Sequence, residues 1–401
     1  MTTNNYFPKH LYSLDVLRGV AALVIVLVHW RYFLEVDITS PFRMDAQPFY
    51  NVFGVFYNYG WLAVDLFFSL SGFVFYWLYA DAIRSKKVSG FSFFVMRFSR
   101  LYPLHFATFL FVLIAQVFVR SKTGSVFAFE NVDFYHAVLN VFMVNSWLFN
   151  NEHSFNGPAW SLSVEALLYI LFFLVCLLSR RRYWVGACIA IIGLVLIQVA
   201  SDVGRGIFSF FIGGLTFWLF AKITASKYLK LLAVLFTVIA IFLCYLVYAD
   251  FKTPFFSDVV GSALEAVIPA SQQFRIPGII FRLSKYSITA VVFPSVILMC
   301  ALVEAWRGVL GRKISFLGDI SYSVYLLHFP LQLVFYSLAV VLEINLEVFY
   351  SPYSLLLFLV VLVVLALASY HHFELPMQKI IRQKLAPRPL VRAEGSAISP
   401  A

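Results

Sequence analysis

Ten stretches of this chain stay apolar for close to the twenty residues that a helix needs to cross the hydrocarbon of a bilayer. They fall near 14–33, 61–80, 101–119, 160–178, 184–200, 207–222, 230–248, 288–306, 320–342 and 354–373. Lipid offers no water to satisfy exposed N–H and C=O groups, so such a chain is confined to a bundle of spanning helices. The expected fold is all-α and polytopic, with about ten transmembrane helices. Composition agrees, since 62% of the residues are hydrophobic and 12% charged, where a soluble chain is about a quarter charged. An eleventh run, 136–149, is shorter and is interrupted by Asn140, Asn145 and Ser146. Charge decides whether it spans. If it does not, the loops divide into one set with 20 Lys and Arg and an opposite set with 9. If it does, every loop from Arg180-Arg181-Arg182 onward changes sides and the asymmetry largely vanishes. The positive-inside rule therefore predicts a re-entrant or interfacial 136–149 and two cytoplasmic termini.

The net charge of +10 is accounted for by these loops, which argues against a nucleic-acid partner. The four cysteines are scattered without paired spacing and predict neither a disulfide framework nor a metal site. Residues 1–13 read as a cytoplasmic segment before an uncleaved first span, 14–376 as the membrane domain, and 377–401 as a basic, disordered cytoplasmic tail.

Inside the spans, polar residues stand out because a charge in hydrocarbon costs about 2.5–3.5 kcal/mol even on the insertion scale. Asp15, Arg18 and His29 share one narrow stripe of the first span, with His29 roughly 16 Å above Arg18. Alternating spans convert sequence positions into depths. His29 lies about 22 Å above the start of its span, and Asp65 and Glu165 about 6 and 8 Å down from the outer ends of theirs. All three land in the outer third of a core about 30 Å thick. A histidine oriented by a carboxylate suits proton abstraction from a hydroxyl, although either carboxylate could instead satisfy a neighbouring helix. Near the cytoplasm, Arg97 and Arg100 share a helix face just before the third span, with Pro103 suited to its beginning. Such a pair can fork phosphate oxygens or simply anchor the span by charge. Ser161 stands one turn from Glu165. Ser321, Tyr325 and His328 share a face of the ninth span, where His328 is either a packed histidine or a channel-lining one.

These pieces together resemble the acyltransferase-3 family of multi-spanning membrane O-acyltransferases. The matching stretches are Leu14-Asp15-Val16-Leu17-Arg18-Gly19 with His29, Val64-Asp65-Leu66-Phe67-Phe68 with Ser71-Gly72-Phe73, Arg97-x-x-Arg100-x-x-Pro103, Trp160-Ser161-Leu162-Ser163-Val164-Glu165, and Ile320 to His328. Ala63 stands where the family usually has glycine. The resemblance covers 14 to about 376 and implies the form without an appended esterase-like domain. It implies that His29 is catalytic, with Asp65 or Glu165 assisting, and that Arg97 and Arg100, approached past Arg18, hold an acyl-CoA co-substrate from the cytoplasm. Asp15, Ser71, Trp160, Ser161, Tyr325 and His328 are then supporting or channel-lining residues. The acyl group, acetyl by default, would pass to a hydroxyl of an extracytoplasmic sugar of a surface polysaccharide, lipopolysaccharide or similar acceptor, across a bacterial inner membrane. An acyl-histidine intermediate is a less economical route. The competing class is a secondary transporter that uses buried ionisable groups as a pathway, but no internal repeat is visible.

Overall fold

The computed structural model describes residues 8, 10–36, 41–147, 153–178 and 183–385, and its regular elements are all helices. Among these residues nine helical stretches are long and apolar enough to cross a membrane. A tenth apolar helix, Tyr183–Leu196, is 14 residues long, about 21 Å. The protein is an integral membrane protein. The principal helices are α1 (Tyr12–His29), α2 (Ala63–Leu78), α3 (Gly90–Thr123), α4 (Trp160–Leu178), α5 (Tyr183–Leu196), α6 (Ser201–Thr224), α7 (Leu229–Lys252), α8 (Phe293–Arg307), α9 (Ser321–Val341) and α10 (Pro352–Ser369).

Packing fixes their relative directions. Gly60, just before α2, touches Val24 and Val28 near the end of α1, so α2 turns back along α1. The α9 helix runs with α1, since Gly318 packs on Asp15 at one end and His328 and Gln332 reach His29 at the other. The α3 helix runs the same way, with the Tyr322 hydroxyl donating to the Leu101 carbonyl. The α2, α4 and α6 helices run opposite to these and alongside one another, through Asp65 with Arg205, Ser69 with Ser209, and Phe75 with Tyr169.

The α2–α6 crossing depends on glycine. A Cβ on Gly72 would lie 1.8 Å from the Phe210 carbonyl oxygen, and one on Gly213 would lie 1.9 Å from that of Ser69. Neither neighbour is a side chain that can swing away, because both contacts are backbone. Gly72→Ala or Gly213→Ala is expected to cost about 1–3 kcal/mol or more by forcing the helices apart. The check is the thermal midpoint of the detergent-solubilised protein, and an unchanged midpoint would contradict the close crossing.

Three sequence expectations change. First, α3 begins at Gly90, capped by the Ser89 hydroxyl, so Pro103 lies within the helix rather than at its start. The ring removes one backbone hydrogen bond, and Arg97 and Arg100 sit in the body of a 34-residue helix. Second, the stretch 249–287, which the ten apolar runs leave as a connection between two spans, contains helices Phe255–Glu265 and Ile276–Ser287, the latter continuing through a π-turn into α8. Third, part of the expected disordered tail is ordered: Leu375–Leu385 is a helix whose Arg382 Nε donates to the Ser99 hydroxyl at 3.0 Å. Residues 386–401 lie outside the described residues. The segment 134–147 does not cross. Its one helix, Phe134–Val141, has eight residues, and the chain dips inward until the Asn140 carbonyl accepts from buried His105 Nε2 at 2.8 Å. It returns to the end from which it came, where His153 stacks on Trp160.

Candidate active site

The α1 helix stops at His29 because the next residue is anchored from outside. The Trp30 indole is wholly buried among Phe33, Phe349 and Phe358 and donates to the Phe349 carbonyl at 2.8 Å. Gln332 Nε2 of α9 donates at 2.8 Å to the His29 carbonyl, one of those a helix end leaves without an intrahelical donor. One turn earlier on α9, His328 Nε2 lies 2.8 Å from His29 Nδ1. One face of the His29 ring stacks on Tyr32, with centroids 5.0 Å apart.

His29 opens onto a cavity of about 170 Å³. Its walls are mostly aromatic, with Tyr32, Trp61, Phe129 and Trp160 joined by His153 and Arg205. The Arg205 guanidinium lies over Trp61 at 5.2 Å and Trp160 at 5.1 Å. Trp160 is covered in turn by the His153 ring, whose Nε2 is 3.1 Å from Asp202 Oδ2. Pro158, another lining residue, is held from behind: its carbonyl accepts from the Tyr325 hydroxyl at 2.6 Å, and that hydroxyl lies 2.7 Å from the hydroxyl of Ser161.

The three residues expected at one depth separate into two places. Asp65 faces Arg205 instead of His29, accepting from Nη2 at 2.7 Å, from Nε at 3.4 Å and from the Ser209 hydroxyl at 3.2 Å. The pair is buried, with Asp65 1% exposed. Glu165 accepts from the Tyr169 hydroxyl at 2.6 Å and lies in electrostatic reach of Arg18, Arg97 and Tyr322. Tyr322 is six residues, or about 9 Å, below His328 on α9, so Glu165 belongs to a lower polar cluster. No hydrogen bond joins either carboxylate to His29.

That lower cluster gathers bases from three helices. Arg18 of α1 is within electrostatic reach of Arg100, Glu165 and Asp15. Arg97 Nη2 donates to the Tyr79 hydroxyl at 2.7 Å, and its guanidinium lies over the rings of Tyr79 at 4.9 Å and Phe75 at 5.2 Å. Its Nε is buried without a hydrogen-bond partner. Arg382 joins them from the C-terminal helix, close enough to feel both Arg97 and Arg100. Asp15 lies lower still, 2.5 Å from His10 Nε2, and this hydrogen bond is the main cause of a raised His10 pKa. Ser71 is half-buried on α2 and makes no side-chain hydrogen bond. Among the described residues no group of His, Cys, Asp and Glu is placed to hold a metal.

A family model described as "Acyltransferase domain" matches residues 11–371, which takes in both polar clusters. The chain belongs to the acyltransferase-3 family. Acyltransferase MdmB of Streptomyces mycarofaciens is 34% identical over 185 residues, 44% of this chain and 43% of MdmB. The O-acetyltransferase OatA of Staphylococcus aureus is 26% identical over 188 residues, 44% of this chain and 26% of OatA. A third relative, protein 2 in the picA locus of Rhizobium radiobacter, is 37% identical over 98 residues, 24% of this chain and 41% of that protein. The chain thus spans less than half the length of the curated relatives it matches. No solved structure matches.

In this acyltransferase-family chain, sequence reasoning gave no site role to Arg205, His153, Trp61 or Gln332. Asp202, Arg205 and Ser209 recur at helical spacing on one face of α6, which marks a polar stripe. The partner of that stripe, Asp65, is 140 positions away, and no local pattern connects them.

Proposed function

We propose that this protein is a membrane O-acyltransferase that moves an acyl group, acetyl by default, from acyl-CoA to a hydroxyl of an acceptor met on the opposite side of the membrane. The observation that carries this reading is the second ring nitrogen of His29: among the described residues Nε2 has no hydrogen-bond partner, and His29 lines the cavity. With Nδ1 occupied, Nε2 is the atom available to take a hydroxyl proton. The acceptor oxygen then bonds to the thioester carbon, the C–S bond breaks, and the CoA thiolate leaves with the proton returned from His29. The acceptor assigned here is a sugar hydroxyl of a surface polysaccharide, lipopolysaccharide or related molecule, and the aromatic walls suit the apolar face of a sugar ring. This places the protein in a bacterial inner membrane with both termini cytoplasmic, in keeping with the helix directions and the loop bases.

The donor end is assigned to Arg97, Arg100 and Arg18. Guanidiniums bind phosphate oxygens bidentately, and the unpartnered Arg97 Nε fits such a ligand. Acyl-CoA supplies the activated acyl group as a thioester. Replacing Arg97 and Arg100 together with Gln is expected to raise the KM for acyl-CoA roughly 10- to 100-fold, from losing charge-assisted hydrogen bonds, with a smaller effect on kcat. Arg100→Gln alone serves as the milder variant. An unchanged donor dependence would assign the pair to anchoring. The reading as a whole is tested with the purified protein in proteoliposomes, by acyl-CoA binding and by release of free CoA on adding an acceptor alcohol. Acceptor flux without CoA release would replace it with a transporter.

A further inference from the structure

We propose that His328 is a positioning residue that fixes the tautomer of His29, so that the nitrogen facing the cavity is the one without a proton. The proposal rests on the reading of His29 as base and adds how a base buried in a membrane is held ready. Three observations carry it. The His29 and His328 ring centroids are 5.0 Å apart, the N···N distance is 2.8 Å and the planes differ by 15°. Centroids this far apart at so short an N···N distance mean that the rings meet edge to edge, close to one plane. An N–H on one then points along the lone pair of the other, the direction a hydrogen bond prefers.

The second observation gives the bond its sense. His328 is 0% exposed. Its Nδ1 is buried without a hydrogen-bond partner, and the backbone groups acting on its ring are those of Val324 and Tyr325, four and three residues back in its own helix, where the helix turns carbonyl oxygens toward the side chain. A carbonyl accepts and cannot donate, so the proton of His328 belongs on Nδ1 and its Nε2 is a lone pair. That lone pair takes the Nδ1 proton of His29. The His29 Nε2 on the cavity side is therefore bare. The third observation is that α9 grips His29 twice, through His328 at the ring and Gln332 at the carbonyl, so ring and backbone are held by one rigid helix.

A neutral partner also suits the location. Among the described residues, the titratable or charged groups facing His29 are Tyr32, His328, His153 and Arg31, with no carboxylate among them. A buried carboxylate needs a cation of its own, as Asp65 has Arg205. A second imidazole orients the first without adding a charge. It stabilises the imidazolium less than a carboxylate would, through a charge-assisted hydrogen bond alone, so its main contribution is orientation.

The test compares His328→Leu, which removes the acceptor, with His328→Gln, whose side-chain oxygen can accept from His29 Nδ1. In proteoliposomes, His328→Leu is expected to lower kcat roughly 10²- to 10⁴-fold, the range for losing the group that orients a catalytic imidazole, with both KM values within about threefold. His328→Gln is expected to recover most of that loss. Solid-state NMR of the wild-type protein labelled with ¹⁵N-histidine, with His29 assigned by difference against His29→Ala, should show Nδ1 protonated and Nε2 bare. A protonated Nε2 overturns the proposal, as does a His328→Leu protein that keeps more than half its kcat, or a folded His328→Gln protein as slow as the leucine variant. The NMR result stands even if a variant fails to fold. If His29→Ala stays active, the underlying assignment of the base fails. If it is inactive while His328→Leu is fast, only the tautomer assignment fails.

Discussion

Alanine at position 29 is expected to leave an inserted, folded protein that transfers acyl groups at least about 10²- to 10⁴-fold more slowly, the usual contribution of a positioned general base. The supports of the α1 terminus survive the substitution. Gln332 binds the main-chain carbonyl of His29, and Trp30 remains clamped by Phe349 and Phe358. What is lost is one half-buried imidazole at a cavity wall, together with its edge-on contact to His328 and its stack on Tyr32. The readout is CoA release with saturating donor and acceptor, alongside size-exclusion behaviour and thermal midpoint. Loss of activity together with a collapsed midpoint would say that His29 is a packing residue, and a variant retaining most of its activity would remove the imidazole from the reaction.

The fold was legible in the sequence because its controlling quantity, apolar length, is local. The ten runs correspond to the ten principal helices, and the failure of the described segment 134–147 to cross agrees with the expectation drawn from the loop bases. Helix ends were less readable. The α3 helix extends back to Gly90 through Arg97 and Arg100, charged residues that an apolar count rejects, and Pro103 inside it resembles a start signal. Depth was also partly legible, since rise per residue is a constant: His29 lies at the C-terminal end of its helix and Arg18 well below it. Azimuth and partnership were not. Asp65 was expected to serve His29, but the direction its side chain faces is set by the α2–α6 crossing. Two glycines, Gly72 and Gly213, bring those backbones into contact there and so deliver Asp65 to Arg205. Glu165 was misjudged for a related reason. Its distance from the helix start was sound, but α4 presents it to Arg18 and Tyr169, and Ser161, one turn higher, meets Tyr325 instead.

The Asp65–Arg205 pair gives the second large effect, on stability. Arg205 is 9% exposed and Asp65 1%, so removing the carboxylate leaves a guanidinium buried against two indole faces, with no bonded counter-charge and only Asp202 within electrostatic reach. Asp65→Ala is expected to destabilise the protein by about 3–5 kcal/mol, the cost of breaking a buried pair from one side. Asp65→Leu combined with Arg205→Met, which removes both charges and keeps volume, should lie much closer to wild type in stability. Transfer activity in the double variant should nonetheless stay low, because Arg205 and Trp160 form part of the wall that the acceptor meets. Reversible unfolding in mixed detergent, followed across Asp65→Leu, Arg205→Met and the double variant, gives the coupling energy directly. A coupling near zero would mean that the 2.7 Å contact contributes nothing net and that Arg205 is held by Trp61 and Trp160 alone. A double variant as active as wild type would instead confine the pair to holding α2 against α6, and the polar contacts for the acceptor would then have to come from His29 and His153, the other polar residues of the cavity wall.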